Sequence, residues 1–293
     1  MRIALTGGTG FIGSHFLNQA LGEGNTVVAL RRSVTSIPRI PLAKQPEWID
    51  CQLDEVSADE LRGCEVLVHL AAHSVQYPFD SIANCLRWNL TAVMALFEQA
   101  RLAGIRRFVV AGSCFEYGRS GERYNFIPTY APLEPTNSYA ASKAAASIAL
   151  SQWAEEHQLS LDILRVFHVF GEGEAEDRFW PSLRRAALAG DDFPMTAGEQ
   201  VRDFIPVQDA ASAFLWRASL PYEPTTQSNV FNLSSGCVLS MQTFASSCWQ
   251  KWNAGGKLNI GHLQYRKNEI MRYVAGPTSI TVRGSSFHVD KSS

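Results

Sequence analysis

Three side chains near the middle of the chain could carry acid–base chemistry. Tyr139 and Lys143 lie four positions apart in an alanine-rich stretch, so on a helix both side chains face the same way. A lysine ammonium beside a phenol favours the phenolate, which gives a tyrosine able to donate or accept a proton near neutral pH. Ser113 follows the apolar segment Phe108 to Ala111 and could hydrogen-bond a carbonyl or alcohol alongside Tyr139. We predict Ser113, Tyr139 and Lys143 as the catalytic residues.

A glycine-rich string close to the N-terminus could hold a dinucleotide. The pattern Gly-x-x-Gly-x-x-Gly at residues 7–13 directly follows a short strand predicted from Ile3 to Leu5 and opens a helix predicted to run to about Leu21. Glycine allows the tight turn, the close approach of backbone to a pyrophosphate, and close packing of helix on strand. The free N–H groups at the helix N-terminus face the anion. The cofactor-binding residues predicted here are Gly7, Gly10, Phe11, Ile12 and Gly13.

Two arginines follow the second predicted strand, Thr26 to Leu30. At this place an NAD-binding protein usually carries an acid that binds the 2′-hydroxyl of the ribose, whereas this chain has Arg31 and Arg32. Guanidinium groups pair with a 2′-phosphate through charge-assisted hydrogen bonds. The pair therefore favours NADP(H) over NAD as the cofactor.

The elements that must position these residues alternate between strands and helices. Strands predicted at Val66 to Leu70 and Phe108 to Ala111 are separated by a helix predicted at Ile82 to Ala103, and a further helix is predicted at Ser138 to His157. Helices of this length imply crossover connections, a parallel sheet with helices on both faces, and a ligand crevice at the carboxyl ends of the strands. We predict an α/β fold, a Rossmann-type doubly wound parallel sheet with a smaller C-terminal lobe.

The alternation loosens past about Ile163. Phe170 to Gly198 is predicted as loop plus one helix, Val230 to Leu233 as a strand, and Gly284 to Ser293 as a polar tail. We expect an NADP-binding Rossmann domain at residues 1–165, with a returning segment near 200–235, and a mainly substrate-binding lobe at 166–293.

Composition excludes several classes of protein. The 293 residues include 26 basic and 28 acidic side chains, a net charge of −2, so no strong attraction to nucleic acid or anionic membranes is expected. No stretch approaches the roughly 20 apolar residues of a membrane helix, and the N-terminus lacks a signal-peptide core. The six cysteines are scattered without a Cys-x-x-Cys pair, which indicates reduced thiols and no zinc site. We expect a cytoplasmic protein that uses no metal, nucleic-acid or membrane partner.

Four motifs, in the same order, resemble the extended short-chain dehydrogenase/reductase family over roughly residues 1 to 280: Thr6 to Gly13, His69 to Ala72, Ser113 with Tyr117-Gly118, and Tyr139 to Lys143. The resemblance implies a Ser–Tyr–Lys triad of Ser113, Tyr139 and Lys143, in which Lys143 also holds the nicotinamide ribose. Asn89 matches an asparagine whose family role is structural or in a proton relay. The further residues that we assign to the cofactor are Leu53, Leu70, Ala71, Ala72, Tyr139 and Lys143.

The second half of the chain resembles segments of the family that bind a nucleotide sugar. Leu164 to Gly171 looks like Leu-Arg-x-x-Asn-x-Tyr-Gly, with His168 in place of the asparagine that often contacts substrate phosphate in relatives. Arg202 and Arg266 lie in segments that resemble those whose arginines bind the diphosphate, through charge-assisted contacts. The substrate-binding residues predicted are Ser113, Cys114, His168, Arg178, Arg202 and Arg266.

Three reactions compete within this family. A 4,6-dehydratase places Asp-Glu directly after the triad hydroxyl, and Cys114 and Phe115 stand there instead. A 4-epimerase needs the triad and a tightly bound NAD, whereas a 4-ketoreductase needs an exchangeable NADPH, which Arg31 and Arg32 favour.

The segment Gly112 to Gly118 also resembles a branch that reduces nucleotide-linked 4-keto-6-deoxy sugars. We predict that the substrate is a nucleotide-diphosphate 4-keto-6-deoxyhexose reduced at C4, with the 4-epimerase as the alternative. A non-catalytic dinucleotide sensor is disfavoured because Tyr139 and Lys143 are both present. By analogy with the family we expect a homodimer formed through helices 82–103 and 138–157.

Overall fold

The computed structural model describes residues 1–222, 228–266, 269–276, 279–283 and 286–289. None of the helices in these ranges is both long and apolar enough to cross a membrane. The α-helices are α1 (Phe11–Gly22), α2 (Ile82–Leu86), α3 (Ala92–Leu102), α4 (Ser138–Glu156), α5 (Phe179–Ala189), α6 (Val207–Ser219) and α7 (Met241–Lys251). The strands are β1 (Arg2–Thr6), β2 (Thr26–Arg31), β3 (Glu47–Asp50), β4 (Val66–His69), β5 (Arg107–Ser113), β6 (Ser160–Val166), β7 (His168–Phe170), β8 (Phe193–Pro194), β9 (Val201–Pro206), β10 (Asn229–Ser234), β11 (Val238–Ser240), β12 (Leu258–Asn259), β13 (Arg272–Tyr273), β14 (Ser279–Arg283) and β15 (Ser286–Val289).

Nine of the described strands form one sheet in the order β15-β14-β10-β6-β5-β4-β1-β2-β3. Every neighbouring pair is parallel except β14 and β15. Side chains of β1 alternate between two buried clusters, because Ile3 and Leu5 pack on one face of the sheet and Ala4 on the other. Helices α1 and α6 cover the first face and α3 and α4 the second. The predicted α/β Rossmann-type doubly wound sheet is therefore confirmed.

A second group of elements follows the end of β6. Strands β7, β9, β11 and β13 pair in a small sheet, and β8 pairs with β12. Helices α5 and α7 pack together around a third buried cluster that contains Leu183, Ala245 and Trp249. This group extends beyond the carboxyl ends of the main strands, since β7 begins two residues after β6 ends.

Two sequence predictions need correction. The segment 82–103 is not one regular helix, because a π-helical turn at Arg87–Thr91 separates α2 from α3. The predicted polar tail from Gly284 contains strand β15, which pairs antiparallel with β14 at the edge of the main sheet. Short edge strands lack the continuous apolar run of a buried parallel strand, which is why β15 and the half-exposed β3 gave no clear pattern. Residues 284–285 and 290–293 of that tail lie outside the described residues.

Candidate active site

A cleft of about 1220 Å³ lies at the carboxyl ends of the parallel strands. Pockets for a single small ligand measure roughly 300 to 1,000 Å³, so this cleft is larger than a site for one such ligand. All but one of the predicted site residues line it. Those that do are Gly7, Gly10, Phe11, Ile12, Gly13, Arg31, Arg32, Leu53, Leu70, Ala71, Ala72, Ser113, Cys114, Tyr139, Lys143, His168, Arg178 and Arg266.

The glycine loop between β1 and α1 is packed too closely for side chains. Gly7 has a φ of +76°, and a Cβ there would lie 2.5 Å from the backbone N of Ala71. A Cβ on Gly13 would lie 2.0 Å from the carbonyl oxygen of Gly7. Gly10 caps α1 without any side-chain hydrogen bond, so the first N–H groups of the helix stay available to an anion. This cradle fits the pyrophosphate of a dinucleotide.

The arginines after β2 have different surroundings. The Nε of Arg31 lies 2.6 Å from an oxygen of Asp50, and its guanidinium stacks over Trp48 at 4.7 Å. Arg32 is exposed and lines the cleft, as does Arg39 from the following loop. Sequence reasoning missed Arg39, which lies outside any motif and reaches the cleft only through the fold of its loop.

The three predicted catalytic residues line the cleft beside β5, the middle strand of the main sheet. Ser113 ends β5, whereas Tyr139 and Lys143 lie on the first turns of α4, which the side chain of Asn137 caps. All three are buried, and the Tyr139 ring stacks on Phe79 with ring centroids 6.3 Å apart.

Burial sets the charge states of these residues. Burial raises the pKa of Tyr139, and a hydrogen bond from the Ser113 side chain acts in the opposite direction. Burial lowers the pKa of Lys143, and the negative charge of Glu116 partly offsets this. Tyr139 is therefore a neutral phenol, and Glu116 helps Lys143 to keep its proton.

Glu116 is a site residue whose role the sequence did not reveal. It is fully buried, and its carboxylate accepts hydrogen bonds from the Ser113 N–H at 2.7 Å and the Ser147 hydroxyl at 2.8 Å. The Nε of Arg165 donates a third at 2.9 Å. One carboxylate thus joins β5, α4 and β6 and fixes Ser113 relative to the helix that carries Tyr139. The spacing Ser113-x-x-Glu116, a capping box, is the sequence signal that could have indicated it.

Asn89 lies inside the π-helical turn and faces the protein interior. Its side chain accepts from the N–H of His73 at 2.7 Å and donates to the carbonyl of His73 at 3.0 Å. It also donates to the Ser142 hydroxyl at 2.9 Å, next to Lys143 on α4. Turns of this kind are frequent at functional sites. Here the turn directs Asn89 toward the loop at His73, which lines the cleft.

The residues predicted to bind substrate have fewer hydrogen-bond partners within the described residues. His168 has a pKa lowered to about 3, first by burial and then by Arg202 and Arg178, and its Nδ1 has no hydrogen-bond partner among the described residues. Cys114 is 2% exposed, and burial raises the pKa of its thiol. Arg178 and Arg266 are exposed where they line the cleft.

The structure does not place Arg202 on the lining of the cleft. Its guanidinium donates to the Ile270 carbonyl at 2.5 Å and pairs with Glu269 at 3.2 Å. Burial lowers the pKa of Arg202, and the charge of Glu269 opposes this. Because these contacts occupy the group, it lies behind the cleft wall rather than in it.

Comparisons with known proteins match most of the chain to one family. A model of the NAD dependent epimerase/dehydratase family matches residues 3–233. The CDP-abequose synthase of Salmonella muenchen is 25% identical over 295 residues, covering 99% of this chain and 94% of its own length. A UDP-glucose 4-epimerase of Lacticaseibacillus casei is 30% identical over 262 residues, covering 80% of this chain and 76% of its own. Among solved structures, MoeE5 in complex with UDP-glucose and NAD has a TM-score of 0.76 at 28% identity, covering 94% of this chain and 89% of that one.

Proposed function

This chain belongs to the NAD dependent epimerase/dehydratase family, and we propose that it reduces the C4 keto group of a nucleotide-diphosphate 4-keto-6-deoxyhexose with NADPH. The observation that carries the proposal is the composition of one cleft of about 1220 Å³. Its lining includes the glycine cradle, the triad and the exposed arginines Arg178 and Arg266. A dinucleotide and an anionic sugar nucleotide would thus both have access to Ser113 and Tyr139.

The residues present fit a dinucleotide that carries a 2′-phosphate. Arg32, directly after β2, and Arg39, in the following loop, line the cleft, whereas Arg31 is already paired with Asp50. Bidentate guanidinium contacts suit a phosphate dianion, so we assign Arg32 and Arg39 to this group. NADPH, when bound, supplies the hydride for the reduction.

The triad supplies the proton and holds the carbonyl. Tyr139 is a buried phenol whose raised pKa keeps it protonated, which suits the donation of a proton to the oxygen on C4. The Ser113 hydroxyl hydrogen-bonds the same oxygen and orients it. The ammonium of Lys143 stabilises the phenolate that remains after the transfer. Glu116 positions Ser113 by accepting a hydrogen bond from the Ser113 N–H.

The 4-epimerase is the second candidate. A relative that is 30% identical is a UDP-glucose 4-epimerase, and the solved MoeE5 structure contains NAD. A dehydratase is less well supported, because the positions after Ser113 hold a buried thiol, Cys114, and the apolar Phe115.

The test follows NADPH absorbance with purified protein and dTDP-, GDP- and CDP-4-keto-6-deoxyglucose. Oxidation of NADPH with one of these substrates is expected. A flat trace with all three, together with NAD released from the denatured protein, contradicts the reductase and supports the epimerase.

Tyr139→Phe is expected to lower kcat by at least about a hundredfold, because general acid catalysis of this kind contributes roughly 10² to 10⁴ in rate. NADPH binding, measured by fluorescence titration, should stay unchanged. Tyr130→Phe is the matched control, since Tyr130 is 81% exposed and lies away from the cleft. Equal turnover of wild type and Tyr139→Phe would remove Tyr139 from the mechanism.

We also propose a homodimer through α2, α3 and α4. Apolar side chains on these helices are exposed, namely Ile82 at 47%, Leu102 at 56% and Ile148 at 63%. Light scattering after size-exclusion chromatography is expected to give twice the mass of one chain, and a monomer at micromolar concentration contradicts this proposal.

A further inference from the structure

Two polar atoms in the wall of the cleft lack partners among the described residues. They are the Nδ1 of His168 and the Oε2 of Glu174. Both residues line the cleft, and the Glu174 side chain is only 10% exposed. Most buried polar atoms in folded proteins have a hydrogen-bond partner, because a buried polar atom without one destabilises the fold. Because both residues line the same cleft, we expect a bound ligand to supply the missing hydrogen bonds.

The loop that carries Glu174 is held in place by contacts on both sides. The Nε2 of His15 on α1 lies 2.8 Å from the carbonyl oxygen of Glu172. The amide of Gln76 donates to Asp177 at 2.8 Å, which ties this loop to the loop that follows β4. Glu174 therefore lies between two positions that hydrogen bonds hold in place. Its unpaired Oε2 is thus part of an ordered wall of the cleft.

Glu174 is poorly neutralised by its neighbours. The Nε of Arg178 lies 3.6 Å from Oε1, longer than a hydrogen bond, and Arg178 is 48% exposed toward solvent. Burial raises the pKa of Glu174 to about 7, against the lowering effect of Arg178 and of the Gly171 backbone. The carboxylate needs a further hydrogen-bond donor, which a neutral hydroxyl supplies and a phosphate does not.

We infer that Glu174 binds a hydroxyl group of the hexose ring and is a specificity-determining residue of this enzyme. The inference rests on the proposed function and deepens it. Arg178 and Glu174, neighbours of opposite charge on one wall, would divide the ligand between them, the arginine taking the diphosphate and the carboxylate the sugar. Aromatic side chains complete the wall, with Phe170 and Phe244 ring centroids 4.9 Å apart and both lining the cleft. An apolar wall with few polar groups is typical of a site that orients one small ligand.

The test compares nucleotide sugars with nucleotides that lack the sugar. Isothermal titration calorimetry of wild type, Glu174→Gln and Glu174→Ala uses dTDP-, GDP- and CDP-4-keto-6-deoxyglucose and the matching nucleoside diphosphates, with NADP⁺ present so that the keto group is not reduced. A hydrogen bond to a charged group contributes more than one to a neutral group. Glu174→Gln should therefore weaken binding of the nucleotide sugar about tenfold, and Glu174→Ala should weaken it more. Binding of the free nucleoside diphosphate should stay within about twofold, which also shows that the variants are folded.

Glu176→Gln is the matched control in the same loop. Its side chain is 82% exposed and pairs with Arg185 outside the cleft, so neither ligand should bind differently. If both Glu174 variants bind the nucleotide sugar as tightly as wild type, or lose both ligands equally, the inference is wrong while the proposed function stands. If wild-type protein binds none of the nucleotide sugars, the proposed function and the inference fall together.

Discussion

Two glutamates differ in how their carboxylates are hydrogen-bonded, namely Glu116 behind Ser113 and Glu174 in the lining of the cleft. We call the cluster of Ser113, Glu116, Ser147 and Arg165 the catalytic floor, and the cluster of His168, Glu174 and Arg178 the substrate wall. In the floor, the carboxylate accepts three hydrogen bonds of 2.7 to 2.9 Å and pairs with a buried arginine. In the wall, one carboxylate oxygen and one imidazole nitrogen have no partner among the described residues. A complete set of partners indicates a role inside the protein, and an open one indicates a role toward a ligand.

The difference follows from the elements that carry each cluster. The floor joins β5, β6 and α4, and regular strand pairing places Gly112 opposite Arg165. The wall lies at β7 and in the loop that leads to α5. Regular elements fix side chains against one another, whereas a loop on a rigid scaffold can present polar groups to a ligand. Substitutions in the catalytic floor are therefore expected to lower the free energy of unfolding of the protein, and substitutions in the substrate wall to raise it.

Glu116→Gln is expected to have the largest effect. The change leaves the buried Arg165 without its anion, and breaking a buried pair costs about 3 to 5 kcal/mol in free energy of unfolding. Turnover should fall as well, because the Ser113 N–H loses a charged acceptor. Urea denaturation and steady-state kinetics measure the two effects.

The control for this change is Glu134→Gln, which removes an exposed ion pair with Arg123 at 2.7 Å. Exposed pairs contribute about 0 to 1 kcal/mol. Similar losses of stability for the two variants would mean that Glu116 has no special place in the floor.

Glu174→Gln should increase the free energy of unfolding, by less than Glu116→Gln decreases it. Burial raises the pKa of Glu174 from 4.5 to about 7, so ionisation is harder in the folded chain than in the unfolded one. The cost of holding the charge therefore develops as the pH rises from about 4.5 to about 7, and it persists above that range. The variant should be more stable than wild type by roughly 1 to 3 kcal/mol near pH 8 and equal to it near pH 4.5. If Glu174→Gln were less stable than wild type near pH 8, the Glu174 carboxylate would have a structural role like that of Glu116.

His168→Asn should have the smallest effect, and its pH dependence is reversed. The imidazole has a pKa lowered from 6.5 to about 3, so below about pH 6.5 the unfolded chain takes up a proton that the folded chain does not. The free energy of unfolding of wild type therefore decreases as the pH falls below about 6.5, and that of the variant, which has no imidazole at this position, does not decrease for this reason. The variant should be about 1 kcal/mol more stable than wild type near pH 5.5, with no difference near pH 8. Denaturation curves at both pH values measure this difference, and equal stability of the two proteins near pH 5.5 would contradict the lowered pKa of His168.

Several features of the site could be predicted because their signals are local in the sequence. The glycine string needs only a strand before it and a helix after it, and the closeness of its backbone is visible at Gly7 and Gly13. Tyr139 and Lys143 lie one helical turn apart, so their common direction follows from helix geometry alone. The place of Ser113 in the cleft follows from the rule that ligands bind at the carboxyl ends of parallel strands.

Other features depended on contacts between distant segments. Arg202 resembles a phosphate-binding arginine in its motif, yet Glu269 and Ile270, more than sixty residues later, hold it behind the wall. The role of Glu116 requires Ser147 and Arg165 to meet it from two other elements. The open oxygen of Glu174 could be recognised only once its neighbours were placed.

The sequence by itself determined the sheet, the tight glycine turn after β1 and the common direction of Tyr139 and Lys143, because strand patterning, glycine sterics and helical spacing act over a few residues. The tertiary structure alone decided which polar groups are satisfied. Hydrogen bonds and ion pairs form between groups that the fold brings within about 3 Å, whatever their separation along the chain. For this protein that difference separates Glu116, which accepts a hydrogen bond from the Ser113 N–H, from Glu174, whose carboxylate has one oxygen without a partner among the described residues.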